Sequence, residues 1–283
     1  MADITAIILT KNEEKNLPDC LRSIKGFCSR AVVVDCGSTD RTVEIAKEMG
    51  ADVYFHEFEY YARQFNWGID NCDITTEWTM RLDADERVTS DVVRECEALI
   101  AENRVNGITM EATYFFMGRA IDHGISKKRK LMIFRTGIGR IEDRRRDAHT
   151  VISEGESAMI KARFLHHDFK DLTSYINRYN WYATREMLDY VEYMESGKSD
   201  VNTDKSIQQQ RKKKFGVYYK APMFLRAKLW FLYNYIFKLG FLDGKEGFIY
   251  HYLECDWYRT LVDAKILEYK LTGVKPGKLT SLN

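Results

Sequence analysis

Short apolar runs alternate with amphipathic stretches through the first hundred residues. Ile4-Thr5-Ala6-Ile7-Ile8-Leu9 and Ala31-Val32-Val33-Val34 are rich in β-branched residues and read as buried strands. Between them Leu17, Leu21 and Ile24 recur at helical spacing, with Asn12 as the expected N-cap. A second helix runs through Val43, Ile45, Ala46 and Met49 and is closed by Gly50. A strand over Asp52 to His56, a helix from about Tyr60 to Cys72 and a strand Trp78-Thr79-Met80-Arg81-Leu82 ending at Asp83 follow. A further helix over Ser90 to Glu102 precedes strands at 107–114 and 130–135. Such alternation predicts an α/β fold with a Rossmann-like, mostly parallel sheet flanked by helices, and ligands bound beyond the carboxyl ends of its strands. Asn12/Glu13, Asp35/Ser38/Asp40 and Asp83/Asp85 each lie just past such an end, so three polar clusters converge on one rim.

The last third changes period. Tyr175, Tyr179, Tyr182, Met187 and Tyr190 alternate with charges in a long amphipathic helix, and Ser199 to Ser206 forms a polar connection. A basic run, Arg211 to Lys214, leads into an apolar and aromatic stretch around Trp230. That mixture suits a helix at an anionic membrane surface, and equally a helical appendage with its basic residues in water. The expected division is a catalytic α/β domain over 1–170 and a helical C-terminal region over 171–283 for acceptor or membrane contact.

Composition narrows the function. A chain of 283 residues can bury a sizeable core, and a net charge of +1 argues against a general polyanion binder. Basic and aromatic residues occur without a nucleic-acid recognition motif, so no nucleic-acid partner is expected. Six cysteines at irregular spacing fit reduced packing thiols better than a disulfide frame or a paired metal motif. The opening residues do not read as a signal peptide, and no apolar run is long enough to span a bilayer. A cytoplasmic enzyme, peripheral on the inner face of the membrane, is the expectation.

Candidate chemistry centres on Asp83-Ala84-Asp85-Glu86. Two carboxylates one residue apart past a strand can share a divalent cation, Mn²⁺ or Mg²⁺, and leave coordination positions for a diphosphate. A solvated acidic loop has the same sequence. Arg81 shares the strand face of Asp83, placed either for a structural ion pair or for the diphosphate.

Ile8-Leu9-Thr10-Lys11-Asn12-Glu13, Val33-Val34-Asp35-Cys36-Gly37-Ser38-Thr39-Asp40-Arg41-Thr42 and Leu82-Asp83-Ala84-Asp85-Glu86 together resemble the family 2 glycosyltransferases. The resemblance implies a glycosyltransferase A fold and an inverting, metal-dependent transfer of a hexose from a UDP-sugar, glucose or galactose. Later segments, 149–154, 165–169 and 240–244, look like a bacterial subgroup that builds lipopolysaccharide core and O-antigen. They imply a lipid-linked saccharide or lipopolysaccharide intermediate as acceptor. By the same resemblance Thr10, Asn12, Glu13, Asp35 and Asp83 hold the nucleotide-sugar. Ser38 and Asp40 either join them or cap the next helix, and Arg63 and Asn66 either bind the base or form a solvated helix face. Asp83, Asp85 and His166 are the implied metal ligands. The general base, which takes the acceptor hydroxyl's proton, falls first on Asp147 and second on Asp143, with His149 alongside. Where the subgroup often has Asp-Glu-His, this chain has Asp147-Ala148-His149. Two other readings stay open. A sugar nucleotidyltransferase would carry a Gly-rich loop ending in Arg where Thr10-Lys11-Asn12-Glu13 stands. Ala148 would suit a non-catalytic, nucleotide-binding partner in glycan assembly.

Overall fold

The β-branched runs of the first half pair side by side. Strands β1 (Ala2–Thr10), β2 (Cys28–Asp35), β3 (Asp52–Phe55) and β4 (Trp78–Asp83) are parallel, in the order β3-β2-β1-β4. Ile4, Ile7, Ile8, Val32, Val33 and Val34 are fully buried because helices cover both sheet faces. On one face Ile4, Ile8, Val33 and Leu82 pack with α1 (Leu17–Ile24), α2 (Thr42–Glu48) and α4 (Ser90–Glu102). On the other, Ile7, Val32 and Val34 meet Ala62 and Phe65 of α3 (Tyr61–Asn71). The computed structural model describes residues 2–125, 129–143, 149–168, 170–196, 216 and 218–275.

The sheet then turns antiparallel. Strand β4 pairs with β8 (Arg129–Arg135), and β8 with β6 (Gly107–Phe116). Strand β6 runs parallel to β11 (Ser157–His166), which takes the short β5 (Glu86–Arg87) as its antiparallel edge. The register His166↔Glu86 sets that histidine beside the acidic turn. Strands β9 (Gly139–Ile141) and β10 (Thr150–Ile152) form a separate antiparallel pair. Nothing in the sequence pattern predicts β11. Only Ile160 and Phe164 of its ten residues are fully buried, so it lacks the apolar run that marks the first four strands.

One capping expectation is corrected. Helix α1 starts at Leu17, with Asn16 at the N-cap position and Pro18 in its first turn, where a missing N–H costs nothing. Asn12 lies four residues earlier with φ at 55°, a left-handed conformation that asparagine tolerates. Its side-chain oxygen accepts the Thr39 N–H at 2.8 Å, tying the β1 loop to the β2 loop rather than opening a helix.

The chain divides into two compact units, Met1–Phe115 with Ser126–Asp168 and Phe116–Ile125 with Phe169–Asn283. Among its described residues the second contains the short β7 (Arg119–Ile121) and is otherwise built mainly from helices. Along α5 (Leu172–Ser196), Ala183, Met187 and Val191 fall four apart on a buried stripe. They pack on Tyr258, Val262 and Ile266 of α8 (Tyr258–Thr272). Helix α6 (Leu225–Leu232) continues into a π turn over Tyr233–Phe237, and α7 (Gly244–His251) joins α8 through another over Tyr252–Trp257. Arg226 donates from Nε to Asp263 Oδ1 at 3.0 Å, and Phe224 N–H donates to the other oxygen at 2.7 Å. Both charges of that pair are thereby satisfied away from water. No helix among the described residues is long and apolar enough to cross a membrane.

Candidate active site

Parallel pairing levels three strand ends. Thr10 lies opposite Asp35, and Leu9 opposite Asp83. Asp35 is buried with both oxygens used. Oδ1 accepts from Thr10 Oγ1 at 2.9 Å and Ser38 Oγ at 2.5 Å, and Oδ2 accepts the Gly37 and Ser38 N–H groups at 2.8 Å each. Gly37 takes φ of 95°, which lets the loop curl back over that carboxylate. Ser38 also accepts the Asn12 N–H at 2.8 Å, Thr42 accepts the Glu13 N–H at 2.8 Å, and Asp40 accepts the Glu14 N–H at 3.2 Å. Asp40, one residue before the Arg41 N-cap position, additionally accepts the Thr42 N–H at 3.0 Å and so satisfies the first N–H of α2. Asp35, Ser38 and Asp40 thus hold two loops in one shape. Beyond the strand ends lies a cleft of about 240 Å³ lined by Thr10, Lys11, Glu13, Tyr61, Asp83 and Asp85 among others.

Asp83 is committed on both oxygens. Oδ1 accepts from the Tyr61 hydroxyl, and Lys130 Nζ donates to Oδ2 at 2.9 Å. Lys130 also donates to Glu86, which is fully buried and whose second oxygen accepts the Asp83 N–H at 3.0 Å. Arg81 reaches Asp83 only through Tyr61, donating to its hydroxyl at 2.9 Å with the guanidinium 4.6 Å from the ring. Burial alone would raise the Asp83 pKa, but Lys130 and Arg81 overcome it and hold the carboxyl well below the usual range.

Asp85 stands in a different company. The antiparallel β5–β11 edge brings it to His166, whose Nδ1 is 3.8 Å from Asp85 and 3.7 Å from Glu86, while Nε2 is 3.9 Å from Asp168. Donor atoms of Asp85, His166 and Asp168 all lie within 4.8 Å of one another, a spread that small side-chain rotations close around one ion. The buried His166 Nδ1 has no hydrogen-bond partner among the described residues, leaving a ligand nitrogen uncommitted. Two carboxylates with one imidazole suit a divalent cation of the manganese type, so the residues fit the metal that the resemblance implies. Burial pushes the Asp85 carboxyl up to about 7 despite the opposing charge of His166. For His166 burial favours the neutral ring, yet the nearby carboxylates of Asp168, Glu86 and Asp85 raise it to about 10.

Among the expected metal ligands, then, Asp85 and His166 come together and Asp168 joins them, while Asp83 faces Tyr61 and Lys130. Asn66 lies away from the rim, its amide donating to the Ile141 carbonyl at 2.7 Å and accepting the Ile141 N–H at 3.0 Å, which anchors β9. Arg63 is exposed and paired with Glu59 at 2.6 Å. Asp143 accepts from the Tyr60 hydroxyl and lies 3.8 Å from Arg63, and His149 is exposed with its N–H on Glu142 at 3.3 Å. Asp147 lies outside the described residues, as do Arg211 to Lys214. Sequence reasoning missed Asp168, Glu86, Lys130 and Tyr61 as parts of this site. The signals were Asp168 two residues after His166 and Glu86 directly after Asp85; nothing in the sequence points to Lys130, whose place depends on β8 lying next to β4.

A mostly parallel sheet whose carboxyl ends carry a nucleotide-type loop, followed by an acidic turn after its central strand, defines a glycosyltransferase A fold. The model described as glycosyl transferase family 2 matches residues 5–169, more than half of the sequence, and the chain belongs to that family. An uncharacterised glycosyltransferase of Rickettsia typhi is 34% identical over 103 residues, which are 36% of this chain and 35% of that protein. The chain thus spans about a third of the length of that relative. The lipopolysaccharide core biosynthesis glycosyltransferase LpsC of Rhizobium meliloti is 24% identical over 261 residues, 88% of this chain and 89% of that protein. Among solved structures, S. aureus TarS 1-349 aligns over 97% of this chain and 92% of that one, at 15% identity and a TM-score of 0.46.

Proposed function

We propose that the protein is an inverting, metal-dependent hexosyltransferase that moves a sugar from a UDP-sugar to a lipid-linked saccharide or lipopolysaccharide intermediate at a membrane surface. The observation that carries this reading is the grouping of His166 and Asp168 with Asp85, which lines the cleft beyond the parallel strands. The similarity to LpsC over most of both chains supports the lipopolysaccharide side of the reading. When bound, a divalent cation supplies positive charge that stabilises the departing nucleoside diphosphate. Thr10, Asn12, Glu13 and the loop organised by Asp35 form the nucleoside side of the cleft. Lys130 and Tyr61 keep Asp83 ionised and fixed, and the second lone pair on each of its oxygens can accept from a donor hydroxyl. Asp147, or failing it Asp143, takes the acceptor's proton as that oxygen attacks the anomeric carbon from the opposite side of the leaving group.

Incubation with a panel of nucleotide-sugars, with Mn²⁺, Mg²⁺ or a chelator, tests the reading. Metal-dependent donor hydrolysis or transfer is expected. Nucleotidyl exchange with a sugar phosphate would make it a nucleotidyltransferase, and binding without turnover would make it a non-catalytic partner.

A further inference from the structure

In the helical unit, the segment from α6 to α7 leaves its large apolar side chains in water. Phe237 is 76% exposed, and Ile236, Leu239, Phe241 and Leu242 beside it are each at least 44% exposed. The exposed residues are near neighbours in sequence, and Phe241 joins them to an aromatic row, its ring centroid 6.4 Å from that of Tyr235. Ring centroids link Phe231 to Tyr235 at 5.3 Å, Tyr235 to Phe248 at 5.6 Å and Phe248 to Tyr252 at 6.4 Å. The backbone is shaped to present it. A π turn over Tyr233–Phe237 and a left-handed Leu239 at φ 62° push the tip outward, while Asn234 and Gly240 on either side stay buried. A contiguous apolar patch of this kind on a folded protein marks a binding surface.

Charge selects the occupant. Within residues 218–252, Lys220, Lys228 and Lys245 are exposed and Lys238 is half-buried, Lys228 being paired with Asp256 at 2.6 Å, whereas the acids are the buried Asp243 and the half-buried Glu246. Lys238 keeps its ammonium 5.2 Å from the Tyr233 ring, the pairing of cation and amphipathic aromatic that suits the headgroup layer. Apposing a second copy of this face would set lysines against lysines. An anionic bilayer instead offers acyl chains to the aromatic tip and phosphates to the lysine rim.

We propose that the α6–α7 face docks on an anionic phospholipid surface, with Phe237 and Leu242 entering the interface and Lys238 and Lys245 contacting headgroups. Its biological sense rests on the proposed membrane-borne acceptor, but docking is read without donor or turnover, so either idea can fail alone. Sedimentation of the full chain with phosphatidylcholine vesicles, with or without one quarter phosphatidylglycerol, provides the test. The parent should favour the anionic vesicles, and about 0.5 M salt should weaken that preference. Lys238→Gln with Lys245→Gln should reduce anionic binding by about fivefold for each lysine lost. Phe237→Ser with Leu242→Ser should reduce it by about tenfold or more at either salt, with little change in melting temperature because Phe237 is mostly and Leu242 half in water. No vesicle binding by the parent, or equal binding by parent and both variants, would overturn the proposal. So would a lipid-independent dimer in light scattering that Phe237→Ser dissolves, which would make the face a self-association surface.

Discussion

Asp35 is buried and accepts four hydrogen bonds, so replacing it acts first on the loop and only then on the donor. Asp35→Ala would leave the Gly37 and Ser38 N–H groups and two hydroxyls without their acceptor. A loss of about 2–4 kcal/mol in stability, followed by chemical denaturation, is the expected cost. Weaker donor binding should accompany it. Full stability with weakened donor binding would instead make Asp35 a direct nucleoside ligand. Asp83 and Asp85 should also separate by experiment, although they are two residues apart. Asp85→Asn or His166→Gln should lower Mn²⁺ affinity in calorimetric titration by at least the roughly 10–100-fold typical of disturbing a metal site's surroundings. Asp83→Asn should change that affinity far less, because Tyr61 and Lys130 already occupy its oxygens. Equal losses in all three variants would return Asp83 to the ligand set.

Helix α3 is the element that couples packing to the site. It brings Tyr61 to Asp83 at one end and Asn66 to β9 further along. Its close approach to the sheet depends on Gly68, where an added Cβ would meet Ile7 Cγ2 and Val34 Cγ2 at 3.2 Å. Gly68→Leu therefore needs the helix to move outward, at about 1–3 kcal/mol of overpacking. The melting temperature should fall, and Tyr61 should lose its hold on Asp83, so donor affinity should fall with it. An unshifted melting temperature would show that α3 has slack the packing does not suggest. The helices and first four strands were legible because each is an unbroken apolar or amphipathic run of the right period. Strand β11 was not, since its charged and half-buried residues take their conformation from β6 and β5 on either side.

For the whole molecule, the buried charges at the cleft link stability to pH. Asp85 and His166 both have folded pKa values raised, to about 7 and about 10. A raised group gives stability that is complete at low pH and disappears as pH climbs through its folded value. Metal-free protein should therefore lose melting temperature as pH rises, between about 4 and 7 through Asp85 and between about 6.5 and 10 through His166. Asp83, held low, works the other way and costs stability only in acid. Asp85→Asn should flatten the lower part of the decline, and His166→Gln the upper part. Adding Mn²⁺ at alkaline pH should recover stability in the parent, since the cation replaces the lost protons. A melting temperature that is flat from pH 5 to 9 in chelator would sink this account.

The sequence by itself determined the α/β architecture, the parallel sense of its first strands and the three polar clusters at their ends. Hydrophobic period and β-branching act locally, and strand ends with their turn residues can be read along the chain. Resemblance also put forward Asp83, Asp85 and His166 as metal ligands in advance of any geometry. Only the tertiary structure decided that Asp168 stands with Asp85 and His166 and that Asp83 is turned to Tyr61 and Lys130. Those partners are separated by tens of residues, and they meet because β8 docks on β4 and β11 on β5. Pairings of that kind depend on sheet order and register, which long-range packing sets and no local pattern of residues encodes.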